Sequence, residues 1–135
     1  TLVGLDELLS QSDIVSLHVP FTPATHHLIG VRELGLMKQS ALILNFARGG
    51  IIDEVALADA LRTSRIAGAA LDVFTTEPPV VDAALFRAPN TLFSMHSAGI
   101  SAGASRDISM SVASDLLAVL SGQTPLHVYT LPNTT

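Results

Sequence analysis

The feature that most constrains this chain is a set of short apolar runs that lack the alternation of half-buried strands. Runs rich in β-branched or aliphatic residues cover positions 13–19, 41–46, 66–73 and 91–93. The segments ALIL at 41–44 and AGAAL at 67–71 contain no polar side chain. Strands that helices cover on both faces have this pattern. The runs therefore predict buried strands of a parallel sheet.

Helical patterns between and after these runs complete the fold prediction. One helix is predicted at 53–64, where Asp53 can cap the amino end and Leu57 and Leu61 share a face. A longer helix is predicted at about 105–121, because its apolar residues lie four apart. Strand–helix–strand repeats of this spacing build a wound α/β sheet that binds ligands at the carboxyl ends of its strands.

We expect one domain over residues 1–122, followed by a loose tail over 123–135.

Composition excludes several classes of function. The formal net charge is −5, too acidic for a nucleic-acid or anionic-membrane partner. The sequence has no cysteine, which excludes disulfides and thiolate metal sites and is typical of the cytoplasm. No apolar window reaches the length of a membrane-spanning helix, and the first residues do not resemble a signal peptide. The histidines show no metal-ligand spacing, so we expect no metal, nucleic-acid or membrane partner.

Charged side chains follow the second and third runs. Arg48 precedes two glycines that let the chain turn into the next helix. Its guanidinium could hold a small carboxylate through paired hydrogen bonds, or it could be a surface arginine that caps carbonyls. Asp72 ends the third run, where a carboxylate needs a polar cofactor group, backbone amides or a cap as its partner. Glu77 lies in a proline-rich loop, where solvated acidic residues are common.

A histidine follows the fourth run. His96 is followed by the small residues Ser97, Ala98 and Gly99, which would let a flat ligand approach closely. Histidine exchanges a proton near neutral pH, so it suits general acid or base catalysis. If Glu77 reaches His96, its carboxylate favours the imidazolium form and determines which ring nitrogen faces a substrate. A solvent-facing or core histidine is the competing interpretation.

Taken together and in this order, these segments resemble the NAD-dependent D-2-hydroxyacid dehydrogenases, the family of phosphoglycerate, glycerate and D-lactate dehydrogenases. The matching segments are LDELL at 5–9, DIVSLHVP at 13–20, TPAT at 22–25, the block at 45–57, LDVF at 71–74, EP at 77–78 and the segment around His96. Arginine, glutamate and histidine each follow a different predicted strand, which makes the ordered set specific. The resemblance implies a Rossmann-like wound parallel sheet.

The resemblance also implies a role for each residue. Arg48 would bind the substrate carboxylate and polarise the C2 carbonyl, His96 would exchange a proton with the C2 oxygen, and Glu77 would support His96. Hydride would pass between the nicotinamide of NAD and C2 of a small 2-hydroxy or 2-oxo acid. Cofactor contacts map onto Val19, Pro20, Phe46, Ala47, Arg48, Asp72, His96, Ser97, Ala98 and Gly99, with Asp72 on the nicotinamide side.

Two departures from the family pattern accompany the resemblance. The chain has no G-x-G-x-x-G turn, so it resembles the second half of a dinucleotide-binding domain. A missing N-terminal segment or a second subunit is therefore expected as a partner, with a homodimer in the full-length protein. The residue that separates NAD from NADP normally lies in that missing part, so NAD is the family default and NADP stays open. Ser94-Met95 precedes His96, where many relatives have a proline.

Two other functions remain open at this point. Corepressors related to these dehydrogenases use the same fold as an NAD-sensing binding module. The other alternative is an inactive fragment. Exposed apolar sheet edges and helix faces would indicate such a fragment. Turnover distinguishes these alternatives from an enzyme, and we expect the 135-residue chain alone to have little or no activity.

Overall fold

The computed structural model describes residues 1–80 and 83–128. Its helices and strands alternate along most of the chain. In order they are α1 (Leu5–Gln11), β1 (Ile14–Leu17), α2 (Val31–Leu36), β2 (Leu42–Asn45), α3 (Glu54–Arg62), β3 (Gly68–Leu71), a 3₁₀ turn (Ala84–Arg87), β4 (Thr91–Phe93) and α4 (Ala102–Leu120).

The four strands form one parallel sheet in the order β1-β2-β3-β4. Its register pairs Leu17 with Asn45, Asn45 with Leu71 and Leu71 with Phe93. The predicted α/β fold with a parallel sheet is confirmed. Because the last residues of the strands are aligned, the loops that follow them emerge at the same edge of the sheet.

One face of the sheet carries the core. Val15 and Ile43 on this face are buried in the same cluster as Leu57 and Leu61 of α3. The predicted cap of α3 is confirmed, because Asp53 Oδ1 accepts hydrogen bonds from the amides of Val55 and Ala56. This cap satisfies amides that have no partner within the helix.

The opposite face differs from the expectation of cover on both sides. Ile14 is 60% exposed, Leu42 is 41% exposed and Leu92 is 75% exposed. The core cluster collects the side chains of alternate positions, which leaves the intervening positions of the same strands open to solvent.

Two helices were not predicted from the sequence. α1 has 7 residues and α2 has 6, so each offers few positions for an apolar period. Leu9 of α1 and Leu34 of α2 are almost fully buried. Helices this short depend on such packing more than on their own propensity.

The chain divides into two compact units, residues 1–98 and the segment from Gly99 onward. In the second unit α4 begins before the expected residue 105, because Ser101 caps it by accepting a hydrogen bond from the Ala104 amide. Within the described residues, α4 contains no buried side chain. The expected end of the domain at residue 122 stays a prediction.

The beginning of the predicted loose tail is held to its own unit. Asp115 of α4 accepts a hydrogen bond from the amide of Leu126, and its other oxygen lies 2.9 Å from His127 Nδ1. The rest of the predicted tail, residues 129–135, lies outside the described residues. Among the described helices, none is long and apolar enough to cross a membrane.

Candidate functional site

The loop after β2 is held in place by a buried asparagine. Asn45 is 2% exposed, and both ends of its amide are used. Its Nδ2 donates to the carbonyl of Arg48 at 2.9 Å, and its Oδ1 accepts from the amide of Ala47 at 3.1 Å. A buried amide with both ends paired stabilises one loop conformation. Asn45 therefore sets the position from which the Arg48 side chain leaves the backbone.

The next residue brings this loop against the loop after β3. A Cβ atom on Gly49 would lie 1.9 Å from the carbonyl oxygen of Phe74, which is far inside van der Waals contact. Only glycine allows two backbones to approach this closely. Gly49 thus places Arg48 beside the chain that leads to Glu77.

A cavity opens at the carboxyl ends of β1 and β2. It is lined by His18, Val19, Pro20, Phe21, Phe46, Ala47 and Arg48. Five predicted cofactor residues, from Val19 to Arg48, are therefore brought to one place. Arg48 is exposed, and its Nη1 donates to the carbonyl of Ala47 at 2.7 Å. Because a guanidinium has five N–H donors, this contact leaves donors for a ligand.

Asp72 follows β3 and anchors the loop that carries His96. Asp72 is 2% exposed. Oδ1 accepts hydrogen bonds from Ser94 Oγ and the amide of Ser97, and Oδ2 accepts one from the amide of Ala98. Burial alone would raise the pKa of Asp72, but these hydrogen bonds outweigh burial and hold it below its ordinary value.

Glu77 and His96 form a direct pair. His96 Nδ1 lies 2.9 Å from Glu77 Oε2, and the amide of Phe74 donates to Glu77 Oε1 at 3.1 Å. An ionised carboxylate can only accept, so Nδ1 carries the proton and Nε2 is the nitrogen available to a ligand. The hydrogen bonds from His96 and Phe74 hold the pKa of Glu77 below its usual value. The sequence-based condition that Glu77 reaches His96 is met.

The Glu77–His96 pair borders an apolar cavity. Phe74, Phe86 and Phe93 form a cluster whose ring centroids lie 4.6 to 5.8 Å apart. They line the cavity together with Met95 and both members of the pair. Apolar walls beside this hydrogen-bonded pair reduce its contact with water on that side.

The predicted site residues thus fall into two groups at one sheet edge. Arg48 belongs to the cavity beyond β1 and β2, and Glu77 and His96 belong to the cavity beyond β3 and β4. Ser97 and Ala98 contribute backbone amides to the Asp72 anchor, whereas Gly99 begins the second unit. Among residues 1–80 and 83–128, no group of three or more metal-binding side chains is present.

Sequence reasoning missed two residues that position the site. Asn45 ends an otherwise apolar strand, and its polarity there was a signal that the chain needs a partner for it. The sequence gives no signal for the role of Ser94, because its contact with Asp72 joins residues 22 positions apart and has no local signature.

Comparison with known proteins gives a consistent match. Residues 1–98 match the family described as D-isomer specific 2-hydroxyacid dehydrogenase, NAD binding domain. A D-3-phosphoglycerate dehydrogenase from Methanocaldococcus jannaschii is 41% identical over 129 residues, which cover 96% of this chain and 24% of that protein. A glyoxylate reductase from Thermococcus gammatolerans is 44% identical over 121 residues, covering 90% of this chain and 36% of that protein.

A solved structure has the same fold. The NAD-complexed D-isomer specific 2-hydroxyacid dehydrogenase from Lactobacillus delbrueckii ssp. bulgaricus superposes with a TM-score of 0.88 and 33% identity, covering 96% of this chain and 43% of that chain. The present chain therefore spans less than half the length of each of these relatives.

Proposed function

The chain belongs to the NAD-binding domain family of the D-isomer specific 2-hydroxyacid dehydrogenases, and on that premise we propose that it carries the catalytic edge of an oxidoreductase. The reaction is the interconversion of a small D-2-hydroxy acid and its 2-oxo acid. Phosphoglycerate, glycerate and glyoxylate are the first substrates to test, because relatives are named for activity on them.

The Glu77–His96 pair is the single observation that carries this proposal. With Nδ1 held by Glu77, Nε2 of His96 donates a proton to the C2 oxygen when the 2-oxo acid is reduced. It accepts the proton again in the reverse direction. The Glu77 carboxylate stabilises the imidazolium in this cycle. General acid–base catalysis by a positioned side chain such as His96 contributes about 10²–10⁴ in rate. A pair built for proton exchange favours an enzyme over a binding module.

Arg48 binds the other end of the substrate in this proposal. Its exposed guanidinium can hold a carboxylate in two parallel hydrogen bonds. The same positive charge polarises the adjacent C2 carbonyl toward the proton donor. Asn45 and Gly49 hold the loop so that this side chain starts from one place.

The cavity beyond β1 and β2 fits a nicotinamide nucleotide. Its walls include Val19, Pro20 and Phe46, which suit a flat heteroaromatic ring. The family resemblance puts Asp72 on the nicotinamide side of the cofactor, but Asp72 is buried and is not among the residues that line this cavity. When bound, the dinucleotide supplies or accepts the hydride. NAD follows from the family, and NADP is the competing cofactor in the titration below.

The test combines binding with turnover. NADH and NADPH fluorescence titrations measure cofactor binding by the chain and by the longest natural protein that contains it, and turnover is assayed on the longer protein. For the longer protein we expect saturable binding that is stronger for NADH, and reduction of glyoxylate, hydroxypyruvate or phosphohydroxypyruvate. Saturable NADH binding without turnover of any 2-oxo acid would support the NAD-sensing module instead.

We also propose that the working protein is a homodimer in which further polypeptide accompanies this chain. The support is the open apolar sheet face and the exposed apolar side chains of α4, such as Ile108, Val112 and Leu116. Light scattering of the longest natural protein measures the mass. A cytoplasmic location stays a prediction from the cysteine-free sequence, and imaging of a fluorescent fusion tests it.

A further inference from the structure

Ser94 occupies the first position after β4, between the sheet and His96. Its amide donates to the carbonyl of Leu71 at 3.0 Å, which continues the β3–β4 contact by one residue. This fixes the backbone of Ser94 beside Asp72. The hydroxyl then donates to Asp72 Oδ1 at 2.5 Å.

The partner of this hydroxyl is the anchor of the whole loop. Asp72 accepts the amides of Ser97 and Ala98 through its carboxylate and the amide of His96 through its own carbonyl at 2.8 Å. The amides of His96, Ser97 and Ala98 therefore all donate to Asp72. Rotation of the Asp72 carboxylate would disturb its hydrogen bonds to Ser97 and Ala98, the two residues that directly follow His96.

His96 needs this support because its backbone has a φ of +53°. A side chain other than glycine rarely adopts this left-handed conformation without restraint. The conformation lets the ring point its Nδ1 at Glu77. Freed of the restraint, the backbone would gain access to more common conformations in which that contact is lost.

We propose that Ser94 is a positioning residue for His96, acting through the buried Asp72 carboxylate. The hydroxyl occupies one acceptor site on Oδ1 and leaves the others to the amides of the loop. Ser94 itself lines the cavity that the Glu77–His96 pair borders, and in this proposal its hydroxyl acts on His96 through Asp72. The expected effect of Ser94 on catalysis rests on the function proposed above, whereas its expected effect on the loop does not.

Two alternative roles are separable from this one. A serine that only completes the β4 edge would matter for stability and not for the orientation of His96. A solvated hydroxyl would matter for neither. Ser94 is half-buried, and the carboxylate it contacts is buried, so removal of its hydroxyl leaves Oδ1 with one donor fewer in a place where water enters poorly.

The first experiment uses the 135-residue chain and no activity assay. Amide hydrogen exchange and the ¹⁵N shift of His96 Nδ1 are measured by NMR in wild type, Ser94→Ala, Ser94→Cys and Ser94→Thr. We expect exchange at His96, Ser97 and Ala98 to be about tenfold faster in Ser94→Ala, smaller changes in Ser94→Cys, and wild-type values in Ser94→Thr.

Thr91→Val is the matched control, because Thr91 lies on β4, three residues before Ser94, and its hydroxyl donates to the carbonyl of Ala88 and not to Asp72. We expect it to leave the three amides and the His96 ring unchanged. Circular dichroism checks that each variant is folded, and Ser94→Cys decides the matter if Ser94→Ala does not fold. Wild-type exchange and an unchanged ring shift in a folded Ser94→Ala or Ser94→Cys protein would overturn the proposal.

The second experiment measures steady-state kinetics on the longest natural protein. We expect Ser94→Ala to lower kcat about tenfold with little change in the KM of the 2-oxo acid, and Ser94→Thr to restore kcat. An unchanged kcat in an active enzyme contradicts the catalytic part. Absence of turnover in wild type contradicts the proposed function instead, and the NMR result still decides whether Ser94 positions His96.

Discussion

Gly49 and Phe74 hold two site loops in backbone contact: a Cβ added at Gly49 would lie 1.9 Å from the Phe74 carbonyl oxygen. These loops follow different strands, β2 and β3. One carries Arg48 and the other leads to Glu77. The relative position of the two side chains therefore depends on a residue that has no side chain.

Gly49→Ala is expected to destabilise the fold by on the order of 3 kcal/mol, because neither backbone can give way without moving its strand. Urea unfolding measures the change. Gly35→Ala is the matched control, since Gly35 lies in α2 and its added Cβ would meet no atom within 4 Å besides its chain neighbours and the backbone of its own helix. Its expected effect is a stabilisation of about 0.5–1 kcal/mol. Equal stability of the two variants would contradict the close contact.

Asn45→Ala is expected to cost about 1–3 kcal/mol, because the amide of Ala47 and the carbonyl of Arg48 lose their partner. Urea unfolding measures this as well. Asn45→Asp is a partial control, since it retains the acceptor for Ala47 and loses the donor to Arg48. We expect it to be no more stable than Asn45→Ala at neutral pH, because a buried carboxylate oxygen would face the Arg48 carbonyl in place of the lost donor. An Asn45→Ala chain as stable as wild type would rule out the asparagine as a loop support.

The chain is expected to lose stability in acid through Asp72. The folded-state pKa of Asp72 lies below its ordinary value, so its carboxylate stabilises the fold above the unfolded pKa of about 4. This contribution disappears as pH falls through the lower folded pKa. Urea midpoints between about pH 2 and 6 measure the effect.

Asp72→Asn is the comparison for this pH dependence. An asparagine does not titrate and presents an NH₂ group to loop amides that need an acceptor. We expect this variant to be less stable than wild type at pH 6 and its stability curve to be flatter in acid. A wild-type curve that rises as pH falls would contradict the sign.

Arg48 and His96 are expected to affect different kinetic parameters in the longest natural protein. Arg48→Ala should raise KM for the 2-oxo acid and lower kcat, because both substrate binding and carbonyl polarisation lose the guanidinium. His96→Gln should mainly lower kcat, by about 10²–10⁴, because the proton donor is lost. Steady-state reduction of glyoxylate or hydroxypyruvate measures both. Unchanged kinetics in either variant would remove that residue from its proposed role.

Part of this site could be predicted from the sequence, because its charged and titratable residues directly follow apolar runs. Arg48 and His96 could be placed at one sheet edge once the runs were interpreted as parallel strands, since parallel strands end on the same side. Helices α1 and α2 escaped prediction because so few residues show no clear period. The sheet was also expected to be covered on both faces, and one face is exposed. Apolar composition indicates that a strand can be buried, but it does not identify the element that buries it.

By itself, the sequence determined the parallel sheet, the cap of α3 by Asp53 and the family resemblance. These depend on local composition, on spacing and on the order of motifs along the chain. Only the tertiary structure decided that Asp72 anchors the loop of His96, since its partners Ser94, Ser97 and Ala98 lie 22, 25 and 26 positions away. Hydrogen bonds over such separations depend on which strands become neighbours, and that follows from the packing of the whole sheet.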